Sequence, residues 1–316
     1  MRRIAAAAIV AAVVVAVAVV PWVGSDVVVE YGINALLVAT LAQAWNIIGG
    51  FAGYSSFGNS VFYGLGSYGT AIAMARFGWS FPAGLAVGAG LGVVCAVLVG
   101  LAILRLRGHY FAIATLGISG ATAAIIANLD IAERNIGLIL PLVRADTMFY
   151  ETSLVLLAAA TATAAWIARS RFGAGLIAIR EDEDAALAMG VSTTRYKVAA
   201  LTLSALFTAI AGGIHAYWVS FIDPASSFDT TLNVRMVIMT VFGGPGTVFG
   251  PLLGAFILSA VYEVVANSIS VAAALLFGVV IVVAVVFMPR GLFDLAGGLR
   301  RFGLAYLLQN VRRHSL

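Results

Sequence analysis

Long apolar runs, separated by short polar or glycine-rich interruptions, set the pattern of this chain. Segments near 4–23, 27–48, 81–104, 109–129, 149–168, 198–220, 249–266 and 270–288 are apolar all round rather than on one helical face. Each is long enough to cross a hydrocarbon core of about 30 Å as a helix. Two weaker segments, 58–76 and 230–247, are rich in Gly and Ser or interrupted by polar groups. The pattern predicts an all-α, polytopic membrane bundle of about ten segments, the Gly-rich ones interrupted. A membrane β-barrel would instead alternate apolar and polar residues.

Composition agrees, with 62% hydrophobic and only 10% charged residues, where soluble domains average about 25% charged. Little of the chain remains for a soluble domain. Counting ten segments puts 14 of the 18 basic residues on one side (Arg2, Arg3, Arg105, Arg107, Arg169, Arg171, Arg180, Arg195, Lys197, Arg290, Arg300, Arg301, Arg312 and Arg313). By the positive-inside rule that side is cytoplasmic, with both termini on it. The net charge of +4 is therefore topological, and no nucleic-acid partner is expected. The N-terminal run after Arg3 is too long for a signal-peptide core and ends without a small-residue cleavage site, so it reads as the first span.

Candidate chemistry is sparse. Cys95 is the only cysteine, which excludes an intramolecular disulfide, and His109, His215 and His314 share no metal-ligand spacing. Neither a nucleophile elbow nor a Walker motif occurs, so no catalytic residue is expected, and any ATP is hydrolysed by another chain. Glu30, Asn34, Gln43, Asn46, Asn128, His215 and Glu263 lie in or at the ends of apolar segments, where they face protein or a wet cavity.

Two glycine clusters resemble one another. Gly50-Phe51-Ala52-Gly53-Tyr54-Ser55-Ser56-Phe57-Gly58 and Gly244-Pro245-Gly246-Thr247-Val248-Phe249-Gly250 each follow an apolar segment and open a Gly-rich one. Repeated, interrupted segments mark transport pathways in many transporters. Gly50, Gly53, Gly58, Asn59, Gly244, Gly246 and Gly250 are accordingly the translocation-path candidates, while Gly88 and Gly92 read as ordinary positions tolerant of bulk. With few charges at mid-membrane, the pathway is expected to be largely apolar and to bind its cargo weakly.

The densest block of charge, Arg180-Glu181-Asp182-Glu183-Asp184-Ala185-Ala186-Leu187-Ala188-Met189-Gly190, falls within a loop at about 169–197. Asp182 or Glu183 is placed to cap a short helix through Met189, and Gly190 to end it in the left-handed conformation. Ala185, Ala186 and Ala188 then offer a small-residue surface for close docking. Asp184-Ala185-Ala186-x-x-x-Gly190 resembles the Glu-Ala-Ala-x-x-x-Gly coupling loop of importer-type ABC permeases, with Asp184 in place of the family's Glu.

Four further stretches, Trp45–Gly58, Ala178–Glu183, Phe242–Pro251 and Met288–Leu292, are similar to the Liv-type permeases of branched-chain amino acid importers (M subunit), a group related to urea and amide permeases. This resemblance implies a permease domain over 1–293 and a basic cytoplasmic tail over 294–316 placed to lie on membrane lipid. It further implies a bacterial inner-membrane location, a homologous permease subunit, two cytoplasmic ATPases that use ATP and Mg, and a periplasmic binding protein. No cofactor is expected on this chain. Arg180, Glu181, Glu183, Asp184, Ala185, Ala186 and Gly190 become the ATPase-coupling candidates. The competing readings are a urea or short-amide permease, a stand-alone channel or secondary transporter, and an intramembrane enzyme.

Overall fold

A computed structural model describes residues 19–22, 24–143, 145–268, 278 and 291–292. The rest of the expected segments 4–23 and 270–288, and the whole tail 294–316, lie outside the described residues. Among the described residues the α-helices with defined bounds are, in chain order, α1 (Asp26–Trp45), α2 (Asn59–Ala75), α3 (Phe81–Ile103), α4 (His109–Ile126), α5 (Asp146–Arg169), α6 (Arg171–Glu181), α7 (Glu183–Ala188), α8 (Thr193–Val219), α9 (Pro224–Ser227), α10 (Thr230–Gly243) and α11 (Gly250–Ser268). In a lipid interior every backbone N–H and C=O must find a partner within the chain, and a helix achieves this segment by segment.

Five stretches among the described residues are long and apolar enough to cross a membrane: Asp26–Phe51, which is α1 plus a π-helical turn, then α3, α4, α5 and α8. The expectation of about ten is met only to that extent. The weak segments 58–76 and 230–247 form shorter helices, α2 of 17 residues and α10 of 14. Helix α2 is also the most enclosed of these helices among the described residues. Of its 17 residues 14 are buried, chiefly between α3 and α8, so it needs no apolar face for lipid. Its small residues let backbones meet: a Cβ on Gly69 would lie 2.8 Å from the Gly88 Cα of α3.

Helix α2 starts deep within the bundle. The Asn59 side chain donates to Ser204 Oγ at 3.0 Å, and Ser60 Oγ shares a 2.6 Å hydrogen bond with Ser119. Ser204 lies about 16 Å along α8 from its start at 1.5 Å per residue, roughly half a bilayer core. Residues 53–56 therefore climb inward without helical structure. Asn233 of α10 seals this junction, accepting from Ser60 N at 2.8 Å and donating to Ser60 Oγ at 2.8 Å.

The two ends of the bundle are closed differently. At one end Phe81, Phe149 and Tyr217 join α3, α5 and α8, with ring centroids 4.8 to 6.3 Å apart. Arg76 pairs with Glu133 there. A two-residue antiparallel ladder, β1 (Leu138–Ile139) and β2 (Phe221–Ile222), ties the loop after α4 to the loop after α8. Neither strand carries a sequence signal. The opposite end gathers the charged loop.

Candidate functional site

Local rules build the charged loop as the sequence implies. Ser170 Oγ accepts from Gly173 N at the start of α6. Asp182 caps α7, its Oδ1 accepting from Asp184 N at 2.9 Å and Ala185 N at 3.0 Å. At the other end Gly190 takes φ +87°, while Gly190 N donates to Leu187 O at 2.9 Å and Val191 N to Ala186 O at 3.0 Å. These two bonds form a Schellman motif, which only a residue comfortable at positive φ completes cheaply.

Tertiary packing then decides which face of α7 is free. Ala186 is turned inward, 4% exposed, whereas Leu187 and Met189 stand 57% and 85% exposed beside Ala185 and Ala188. The small-residue surface is thus split, and its outer part gains two large apolar side chains that motif reading did not single out.

Behind α7 a buried ionic network joins four parts of the chain. Lys197 of α8, 2% exposed, donates to Glu183 Oε1 at 2.6 Å, to Leu104 O at 2.8 Å and to Tyr54 Oη at 2.9 Å. Tyr54 Oη donates in turn to Glu183 Oε2. All three Lys197 donors are used. From the turn between α3 and α4, Arg107 grips Asp184 with two 2.8 Å bonds and lies 3.3 Å from Glu183 Oε2. Burial opposes ionisation of Glu183, but hydrogen bonds from Lys197 and Tyr54 and the charges of Lys197 and Arg107 outweigh it and lower its carboxyl below its ordinary range. Asp184 is held low by its Arg107 hydrogen bonds. Tyr54, buried and facing Glu183, is pushed up.

The two glycine clusters meet beside this network. Gly246 N donates to Asn46 Oδ1 at 2.8 Å, Asn46 Nδ2 to Thr247 O at 2.9 Å and Gln43 Nε2 to Val248 O at 3.0 Å. A Cβ on Gly50 would lie 2.5 Å from Gly246 N, and one on Gly246 would lie 2.8 Å from Arg180 Nη1. Arg180 Nη1 donates to Gly50 O at 3.1 Å, and the Arg180 stem packs over Gly53. Gly53, Gly244 and Gly246 have φ of +75°, +126° and +75°. Glu181 pairs with Arg180 at 2.8 Å, Gly58 packs on the Thr115 backbone, and Gly250 packs against Gly243 and Gly244.

With this architecture in view, a profile of the branched-chain amino acid transport system / permease component family matches residues 27–287. The chain belongs to that ABC transporter permease family. The permease is 25% identical over 307 residues to the high-affinity branched-chain amino acid transport system permease protein LivM of Escherichia coli, covering 87% of this chain and 72% of that protein. It is also 25% identical over 309 residues to the LivM protein of Salmonella typhimurium, with the same coverage. A shorter likeness, 32% over 94 residues, links it to the fructose import permease protein FrcC of Rhizobium meliloti, covering 28% of this chain and 26% of that one. No solved structure matches. As a member of this family the permease is a membrane transport component, not itself catalytic.

The permease departs from the sequence expectation at two glycines and at Lys197. Gly88 and Gly92 are crossing points: a Cβ on Gly88 would strike Gly66 O and lie 2.6 Å from Thr70 Oγ1, and one on Gly92 would lie 2.6 Å from Ala209 Cβ. Positions free of such neighbours are Gly90 and Gly117. Lys197, one more topological charge by its place in the sequence, is buried and anchors the coupling candidate Glu183. A cleft of about 410 Å³ opens beside the network, lined among others by Gly53, Tyr54, Arg107, His109, Arg180 and Glu183.

Proposed function

We propose that this permease forms part of the translocation path of an ATP-driven importer of branched-chain amino acids. It works beside a homologous permease subunit, two cytoplasmic ATPases that use ATP and Mg, and a periplasmic binding protein that delivers the substrate. The observation that carries this reading is the family match over 27–287 together with two relatives, aligned over 87% of the chain, whose names specify branched-chain amino acids. The fructose relative aligns over only 28% of the chain and favours no sugar substrate.

In this reading the permease spans the inner membrane about ten times, with both termini, the 294–316 tail and the 169–197 loop on the cytoplasmic side. The 1–293 part is the permease domain. Helix α7 is the docking element, and the exposed Leu187 and Met189 enter an ATPase cleft. Arg180, Glu181, Glu183 and Asp184 hold that element at its angle, and the paired glycine clusters support the path. The permease itself holds substrate only in passing.

The test is uptake of labelled leucine by cells carrying the permease with its partner subunits. Competition by isoleucine and valine, and none by urea or acetamide, is the expected result. Competition by urea would overturn the substrate class, and uptake by the permease alone under an ion gradient would overturn the ATP-driven reading.

A further inference from the structure

A cavity of about 570 Å³, within the range of small-molecule sites, opens between α1, α5, α10 and α11. Two opposite charges line it, Arg235 on α10 and Glu263 on α11. Arg235 stands two residues beyond Asn233, whose side chain bonds Ser60 at the deep start of α2. Two residues are about 3 Å of helix, so Arg235 is level with that junction on the other face of α10; it is exposed, its guanidinium lying over the Tyr262 ring at 4.9 Å with Nη2 3.5 Å from Tyr262 Oη.

Among the described residues no carboxylate lies within ion-pairing distance of Arg235, and no basic group within that distance of Glu263. Unpaired charges at membrane depth are costly and mark pathways or wet cavities. The rest of the wall is largely apolar, including Leu36, Val38, Met239 and Phe256.

We propose that this cavity is a transit site for a zwitterionic, aliphatic α-amino acid. The Arg235 guanidinium receives the α-carboxylate in its planar fork, the geometry that suits a carboxylate best. The Glu263 carboxyl receives the α-ammonium, and the apolar wall takes the side chain. A neutral amide or urea satisfies neither charge. The inference rests on the importer reading and extends it by assigning residues to the substrate's two charges.

A single-cysteine permease tests it. Ser259 lines the same cavity, and Cys95 is the only native cysteine, so Ser259→Cys with Cys95→Ala reports on the cavity alone. In membranes carrying the assembled importer, a water-soluble thiol reagent should label this cysteine, and millimolar leucine, but not urea, should slow the labelling. Adding Arg235→Gln or Glu263→Gln should abolish that protection and lower leucine uptake about tenfold or more, with ATPase co-purification unchanged. Arg235→Lys should restore part of it.

Absence of labelling, protection by urea, or leucine protection that survives both charge removals would overturn the proposal. Failure of the importer reading would look different. The assembled wild-type system would then take up no leucine on ATP addition, while leucine protection of Ser259→Cys would still report on the cavity.

Discussion

Lys197 has three donors, three acceptors and almost no solvent, so its surroundings are built for a charge that must stay. Removing one member of a buried ion pair leaves the other unsolvated, which costs about 3–5 kcal/mol. Lys197→Met should therefore lower the unfolding midpoint of the detergent-solubilised protein clearly, and the change should be partly repaired by adding Glu183→Leu. If the double variant is no more stable than the single one, the pair is not the origin of the loss. The same network sets a pH dependence. Because the folded Glu183 carboxyl lies below its ordinary range, its contribution is complete above the unfolded value, about 4.3, and is lost as pH falls through the lower folded value. Hydrogen exchange of the 183–191 amides should stay protected down through the ordinary glutamate range and rise only below it. In Glu183→Gln this acid step should vanish.

At the element scale, α7 shows what a sequence can reveal. Its caps are legible because Asp182 and Gly190 act within four residues of themselves, through side-chain acceptance and a left-handed turn. Its orientation is not, because α7 is held by Lys197 of α8 and by Arg107 and Tyr54, 77 and 129 residues away from their partners Asp184 and Glu183. Leu187→Asp or Met189→Asp should consequently release the ATPase on co-purification while leaving the permease's thermal stability within about 0.5 kcal/mol, as surface changes do. Ala186→Trp should instead lower stability, since it drives an indole into packed protein. The likeness of the two glycine clusters is visible in the sequence, but their mutual contact, bridged by Asn46 and Arg180, needed three dimensions. Gly246→Val and Gly92→Val should both reduce folded yield sharply, and Gly90→Val and Gly117→Val should not. Equal yields for all four would remove the close-approach explanation.

For the whole molecule, the apolar runs revealed the class and the lengths of most helices, since spanning needs only length and hydropathy. They already set 58–76 and 230–247 apart as weak, and the structure gives the reason for the first: α2 faces protein on nearly every side and is relieved of both requirements. The two ends of the bundle remain distinguishable by chemistry: aromatic packing and a β ladder at one, buried charge and capped short helices at the other. Reporter fusions should place the turn after Arg76 and the 133–143 loop outside the cell, and the turn at Arg107 and the 182–191 stretch inside. A fusion at Arg107 reading as external would overturn the ten-segment topology.

The burial of α2 bears on how the chain enters the membrane during synthesis. A segment carrying Asn59, Ser60, Ser67, Thr70 and three glycines gains little from lipid, and its shelter is made by α3, which follows at once, and by α8, which is made more than a hundred residues later. The insertion machinery must therefore hold α2 beside α3 as a pair and wait for α8 to close the far side. Chains ending before residue 193 should leave α2 open to water-soluble thiol reagents at an engineered cysteine, whereas chains extending past residue 219 should protect it.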